Sequence, residues 1–169
     1  MKKNLTIKAL ITLLMITVIL SVATSVFAEE ANYSVGMSLT SSSKLKEGDT
    51  VTVKVNLTAI NAGNGIDTIT AELNYDEDVF ESLTSADMTA GTDWTPSFAN
   101  STKMMTLQKS SKVTTAETVL TITLKVKTTI NVDSTTITLK DIVASGGRVV
   151  DGGTGDISVN NASVTISKE

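Results

Sequence analysis

The sequence predicts an all-β protein, an antiparallel sandwich of two sheets built from eight or nine short strands. Three observations carry this. Period-2 alternation of apolar and polar residues recurs along the chain at Tyr33–Leu39, Thr50–Leu57, Gly65–Tyr75, Lys103–Lys109, Thr118–Lys127, Thr135–Leu139 and Ser163–Ser167. Turn-forming clusters separate these runs, among them Glu47-Gly48-Asp49 and Asn61-Ala62-Gly63-Asn64-Gly65. No segment after the N-terminal region sustains a 3.6-residue apolar period. Thr, Val, Ile and Ser are abundant and there is a single Pro, a composition suited to strands.

In order, Val35, Met37 and Leu39 alternate in a first strand, and Thr40–Gly48 reads as a polar loop. The next strand places Val51, Val53, Val55 and Leu57 on one face and Thr52, Lys54 and Asn56 on the other. The most informative stretch is Gly65–Leu83. Ile69, Ala71, Leu73 and Tyr75 form its core parity, while Ile66, Thr68, Thr70, Glu72 and Asn74 share the opposite parity. The alternation breaks at Tyr75-Asp76, and two acidic residues then precede Val79-Phe80. This pattern predicts a corner that anchors Val79 and Phe80 in the core and fixes how the two sheets face each other. From Thr84 to Asn100 the pattern weakens, and Trp94 falls in an expected loop, Gly91–Pro96. Met105 and Leu107 are inward in the next strand, and Ile122, Leu124 and Val126 in the one after. Ile137 and Leu139 mark another, with Ile142 and Ala144 extending it. A glycine-rich stretch, Gly146–Gly155, leads to the final strand around Val164 and Ile166.

Residues 1–28 read as a secretory signal peptide: Lys2, Lys3 and Lys8 precede an apolar run from Ala9 to Val22, and Val26-Phe27-Ala28 offers a cleavage site. The run is short for a spanning helix, which needs about 20 residues. The expected product is one secreted domain, residues 29–169, with no membrane span after cleavage. It keeps 11 of the 14 basic residues and all 18 acidic ones, a formal charge of −7. Such a surface disfavours nucleic acid. The chain has no Cys and no His, which removes disulfides, lipoprotein acylation, thiol catalysis, Cys/His zinc sites and histidine acid–base chemistry.

Several residues invite a chemical reading. Asp76, Glu77, Asp78 and Glu81 are the types that ligate calcium or form a glycosidase pair, but adjacent turn positions point apart; Asp76 is expected to bind nearby backbone amides instead. Gly152–Asp156 matches one copy of the calcium repeat GGxGxD, whose architecture needs stacked copies. Trp94 is the sole tryptophan and the candidate sugar-stacking ring, with Tyr33 the other ring expected outside; aromatics at 4% leave little for a platform. A Ser–His triad has no His, and no S-x-x-K falls on a helix, Ser41–Lys44 lying in a loop. No catalytic residue, metal site or cofactor is therefore expected. The outward row Thr68, Thr70, Glu72 and Asn74 is the candidate partner-binding surface, since sheet faces of small polar residues around an apolar centre bind proteins well.

The Val-rich strand, the Gly/Asn loop, Leu73-Asn74-Tyr75-Asp76, Val79-Phe80-Glu81 and the later Ala116–Leu120 leading into Ile122–Lys127 together resemble cohesin domains over about Tyr33 to Ile166. The resemblance implies a nine-stranded jelly-roll sandwich and a non-catalytic extracellular receptor for dockerin modules of polysaccharide-degrading enzymes. It also implies that the outward positions on the strand before Tyr75-Asp76 meet the dockerin. Family members often carry Asn and Asp there, where this chain has Thr68 and Thr70; Glu77 stands where many have Pro. The chain is expected to be a lone module, without a dockerin, surface-layer motif or sorting signal after Glu169. A carbohydrate-binding module using Trp94 and a cell-surface adhesion domain are the alternatives, with a polysaccharide as the corresponding partner.

Overall fold

Ten strands form two antiparallel sheets in the computed structural model, which describes residues 33–147 and 152–169. The expected signal peptide lies outside the described residues. The strands are β1 (Ser34–Thr40), β2 (Thr50–Asn61), β3 (Ile66–Asn74), β4 (Met88–Ala90), β5 (Trp94–Ala99), β6 (Met104–Val113), β7 (Glu117–Lys125), β8 (Ser134–Ser145), β9 (Asp156–Val159) and β10 (Ala162–Ser167). One sheet runs β1-β2-β7-β4; the other runs β10-β8-β3-β6-β5, with β9 also on β8. This is the expected all-β jelly-roll sandwich, with ten strands where eight or nine were counted.

The core is the sum of the alternating faces. Val51, Val53 and Val55 stand opposite Leu124, Ile122 and Leu120 in register, and all six are fully buried. On the facing sheet Ile69 and Ala71 stand opposite Leu107 and Met105, and Leu73 opposite Leu139, all without exposed surface. These side chains come from strands far apart in sequence, so the apolar surface they remove from water is available only once both sheets are assembled.

The strands that simple alternation missed are short or irregular. β4 has three residues and β9 four, too few to show a period, and a short 3-10 turn (Ser85–Asp87) precedes β4. β5 begins at Trp94, where a loop was expected. Leu45, placed in a polar loop by sequence, is fully buried and bridges Lys168.

Bulges explain where parity and burial disagree. Ile66 shares the parity of the outward row yet is fully buried, because the β3–β6 register is broken between Ile66 and Thr68. Val119 and Leu120 are adjacent and both buried; β7 takes an extra residue there as Val55 and Asn56 pair with Leu120 and Thr118. In β8 the inward residues switch from Ile137 and Leu139 to Ile142 and Ala144, and Asp141 absorbs the switch at φ 48°. Asp tolerates this left-handed conformation better than most residues.

The corner after β3 carries the chain between sheets. Asp76 closes the turn: its carbonyl accepts from Val79 N (3.2 Å) and Phe80 N (2.9 Å), and its Oδ1 accepts from Asp78 N (2.9 Å). Phe80 then bridges Val126 beside the end of β7, with Glu81 N donating to Lys125 O and Lys127 N to Val79 O, both at 2.9 Å. Phe80 is fully buried, and Tyr75 packs edge-on against it at 6.4 Å. Tyr75, expected on the core parity, is half-buried, and its hydroxyl accepts from Leu83 N at 3.2 Å.

At the other end of β3, Gly65 (φ 85°) and Gly146 bring two backbones together, since a Cβ on Gly146 would strike the Gly65 carbonyl. Asn64 Nδ2 donates to Gly152 O at 2.9 Å, so the single GGxGxD copy belongs to the packing of these two loops.

Phe80→Ala is expected to cost about 3 to 5 kcal/mol of unfolding free energy, the range for large aromatic deletions in a core. Urea denaturation of the variant checks this, and a loss under about 1 kcal/mol would remove the corner from its central role.

Candidate binding face

β3 occupies the middle of the six-stranded sheet, so its outward row lies at the centre of a broad face. Thr68, Thr70, Glu72 and Asn74 are all half-buried, because β6 and β8 flank them on both sides. The structure therefore brings the four together as one row, with Asn74 Nδ2 donating to Glu72 Oε1 at 2.7 Å and Thr68 Oγ1 to Asp67 Oδ1 at 3.1 Å.

Register defines what surrounds them. Thr70 stands between Val143 of β8 and Thr106 of β6, and Thr106 is followed by Ser97 of β5. Thr68 stands between Ser145 and Gln108. Glu72 stands between Lys140 and Met104. The centre is thus small, hydroxyl-rich and neutral. Met104, at 40% exposure, is the exposed large hydrophobic side chain among the described residues, and it sits directly beside Glu72. A flat patch with an adaptable apolar group inside a polar surround has the composition of a protein-binding surface, not of a cleft for a small substrate.

Part of this neighbourhood was readable. With Met105 and Leu107 inward, parity alone turns Met104, Thr106 and Gln108 outward on the same side as β3's row. Val143 follows in the same way from Ile142 and Ala144 being inward, although the parity of β8 shifts at Asp141 between Leu139 and Ile142.

One end of the face is tied to the corner by Lys103, in the β5–β6 turn at φ 56°. Its Nζ bonds Glu77 Oε1, donates to Asn100 Oδ1 (2.8 Å) and to the Tyr75 hydroxyl (3.2 Å), and lies 4.9 Å from the Tyr75 ring centre. The bond to Glu77 chiefly holds the Lys103 ammonium above its ordinary pKa of 10.5, against the opposing effect of burial and with a lesser contribution from Tyr75. The acidic turn is therefore neutralised by a lysine at one end, and among the described residues no group of three acidic side chains converges on a possible metal position.

Trp94 is placed differently from the expectation. It opens β5, is 4% exposed, and points into the seam between the sheets. Its Nε1 donates to Glu117 Oε1 at 2.5 Å, and Lys109 lies 5.7 Å from the ring centre while pairing with the same Glu117 oxygen at 3.0 Å. A ring so enclosed offers no open face to a sugar. Its polar edge satisfies a partly buried ion pair, the role a buried indole N–H commonly takes. Position in a weakly patterned segment concealed this, because the partner Glu117 is 23 residues away.

Against known proteins, the cohesin-domain family model matches residues 35–166, and the chain belongs to the cohesin family. Cohesin modules are non-catalytic binding domains. Among solved structures, the cohesin module of a family 33 glycoside hydrolase from Clostridium perfringens is similar at 10% identity, a TM-score of 0.63, and coverage of 81% of this chain and 98% of that one. The seventh type I cohesin of ScaB from Pseudobacteroides cellulosolvens is similar at 19% identity, TM-score 0.56, and coverage of 81% and 93%. The OlpA cohesin of Clostridium thermocellum, solved as a type I cohesin–dockerin complex, is similar at 14% identity, TM-score 0.56, and coverage of 79% and 99%. At these identities the structural likeness speaks for the fold. No curated protein matches the chain in sequence.

Two outcomes are expected. Trp94 fluorescence should be that of a buried indole and should stay unchanged on adding cellulose or xylan fragments; a shift on sugar addition would return Trp94 to the surface. Lys103→Met should lower stability by about 0.2 to 1 kcal/mol, as partly exposed ion pairs do. Because the folded pKa is raised, that advantage is complete below pH 10.5 and is lost as pH rises through the higher folded value, which denaturation at pH 7 and above 10.5 would show.

Proposed function

We propose that the protein is an exported, non-catalytic module that recognises a dockerin-like protein module through the outer face of its six-stranded sheet. The observation that carries this is the central row Thr68, Thr70, Glu72 and Asn74, flat and flanked on both sides, in a chain of the cohesin family. A similar cohesin has been solved with a dockerin bound. Export rests on residues 1–28, read as a signal peptide, with residues 29–169 as the single mature domain. Among the described residues no helix is long and apolar enough to cross a membrane. Dockerins are borne by polysaccharide-degrading enzymes, so the module would localise such an enzyme rather than act on the polysaccharide.

Thr68 and Thr70 shape the expected chemistry. A Thr hydroxyl both donates and accepts, whereas a carboxylate only accepts. With Thr at the centre, recognition does not require a cationic group on the partner. The contact relies on hydroxyl hydrogen bonds and on apolar contact with Val143 and Met104.

Calorimetry of residues 29–169 against a panel of calcium-loaded dockerins tests the reading. At least one should bind with Kd of about a millimolar or better. Thr70→Arg, a long charged side chain at the middle of the face, should weaken that binding by about tenfold or more without changing the fold. Absence of binding across the panel, or an unaffected Thr70→Arg variant, overturns the assignment.

A further inference from the structure

The opposite side of the sandwich departs from the acidic character of the chain. Across β1, β2, β4 and β7 the outward side chains carry hydroxyls, amides and two ammoniums, Lys54 and Lys125. The single carboxylate within these strands, Glu117, is turned to Lys109 and Trp94 in the seam. In a chain with 18 acidic residues, an entire sheet face lacks an outward one. Lys125 is neutralised by Glu81 at 3.3 Å, while Lys54 has no ion-pair partner among the described residues.

The same face holds a cleft of about 280 Å³ lined by Thr40, Ser41, Ser42, Thr52 and Lys54. One wall is fixed. Ser41 Oγ donates to Thr52 O (2.7 Å) and accepts from Ser43 N (3.1 Å), while Ser43 Oγ accepts from Thr52 N (3.0 Å). These bonds hold the start of the β1–β2 connection against β2. The Ser42 and Thr52 hydroxyls and the Lys54 ammonium have no protein partner among the described residues, so three polar groups face the cleft with their bonding capacity unspent. Its lining is hydroxyl-bearing residues and one lysine, whose carbon atoms also expose apolar surface.

We propose that this cleft binds a uronic acid unit of an acidic polysaccharide. The Lys54 ammonium takes the carboxylate as a charge-assisted pair, and the Ser42 and Thr52 hydroxyls take sugar hydroxyls. An acidic peptide is the poorer fit, since it brings a carboxylate but few hydroxyl groups for Ser42 and Thr52. A neutral sugar would leave the ammonium unpaired. Within the described strands of this face no outward carboxylate opposes an anion, and Glu81 beyond them is paired with Lys125, so a charged chain can lie across it. The site stands on the sheet opposite the proposed protein-binding face and does not depend on it. One module could then hold an enzyme on one side and an acidic polysaccharide on the other. Trp94 takes no part.

Amide chemical-shift titration of residues 29–169 with trigalacturonate tests the proposal. Shifts confined to Thr40–Ser42 and Thr52–Lys54 are expected, with Kd of about a millimolar. The methyl-esterified trisaccharide and Lys54→Met should each weaken binding by about tenfold or more, and Lys54→Arg should retain it. Lys54 is exposed, so neither substitution threatens the fold. Shifts elsewhere, no shifts at about ten millimolar ligand, equal binding of the methyl ester, or an unaffected Lys54→Met variant would overturn the site. Equal shifts with inorganic phosphate would overturn the sugar assignment, showing a general anion contact.

Discussion

Phe80 is the contact on which the arrangement of the two sheets depends. β3 is the central strand of one sheet, and six residues after its end Phe80 is hydrogen-bonded beside the other, bridging Val126. A chain that crosses a sandwich in one turn must satisfy its backbone bonds on the way, since unpaired buried amides are costly. Asp76 supplies acceptors for three of them, from Asp78, Val79 and Phe80. The Phe80 ring then fixes the depth at which the chain enters the core, and Tyr75 and Lys103 brace the crossing from the side of the candidate face. The acidic residues that look like a metal site are part of this brace. Short acidic side chains serve turns well because they can accept from the backbone amides two residues on.

The sandwich presents two broad outer faces, and their chemistry differs through charge placement more than through residue type. Both are rich in Thr and Ser, which suit strands and remain polar when half-buried. The six-stranded face has Met104 and Val143 near a neutral centre, with Glu72, Lys140 and Asp141 close by. Among the described residues the strands of the four-stranded face turn no carboxylate outward, and Lys54, without an ion-pair partner there, stands beside a hydroxyl-lined cleft. A flat face with an apolar spot fits another folded surface; a small polar cleft with a cation fits an anionic group. The fold holds both as rigid sheets, so neither contact requires the chain to order itself first.

The fold was legible because alternation is a local record of burial. Val51, Val53, Val55 and Leu57 and the later Ile122, Leu124 and Val126 announce their inward faces within a few residues, and all are buried. The outward row of β3 was legible for the same reason. Ile66 was not, since it lies beyond an irregularity that changes which side a residue faces. Trp94 was misread because its environment is made by Glu117 and Lys109, remote in sequence and brought together only by β5–β6–β7 packing.

By itself the sequence determined the class of the protein: strand faces, an acidic domain without thiol or imidazole chemistry, and a corner at Tyr75–Phe80. Those properties are local, set by periodicity and composition. Tertiary structure alone decided that Thr68–Asn74 lies between two other strands, that Trp94 is sealed in the seam, and that Lys54 sits in a cleft on an acid-free face. Each of these depends on which distant strands become neighbours, and an irregularity such as that between Ile66 and Thr68 sets the final facing of a side chain without leaving a mark in the alternation itself.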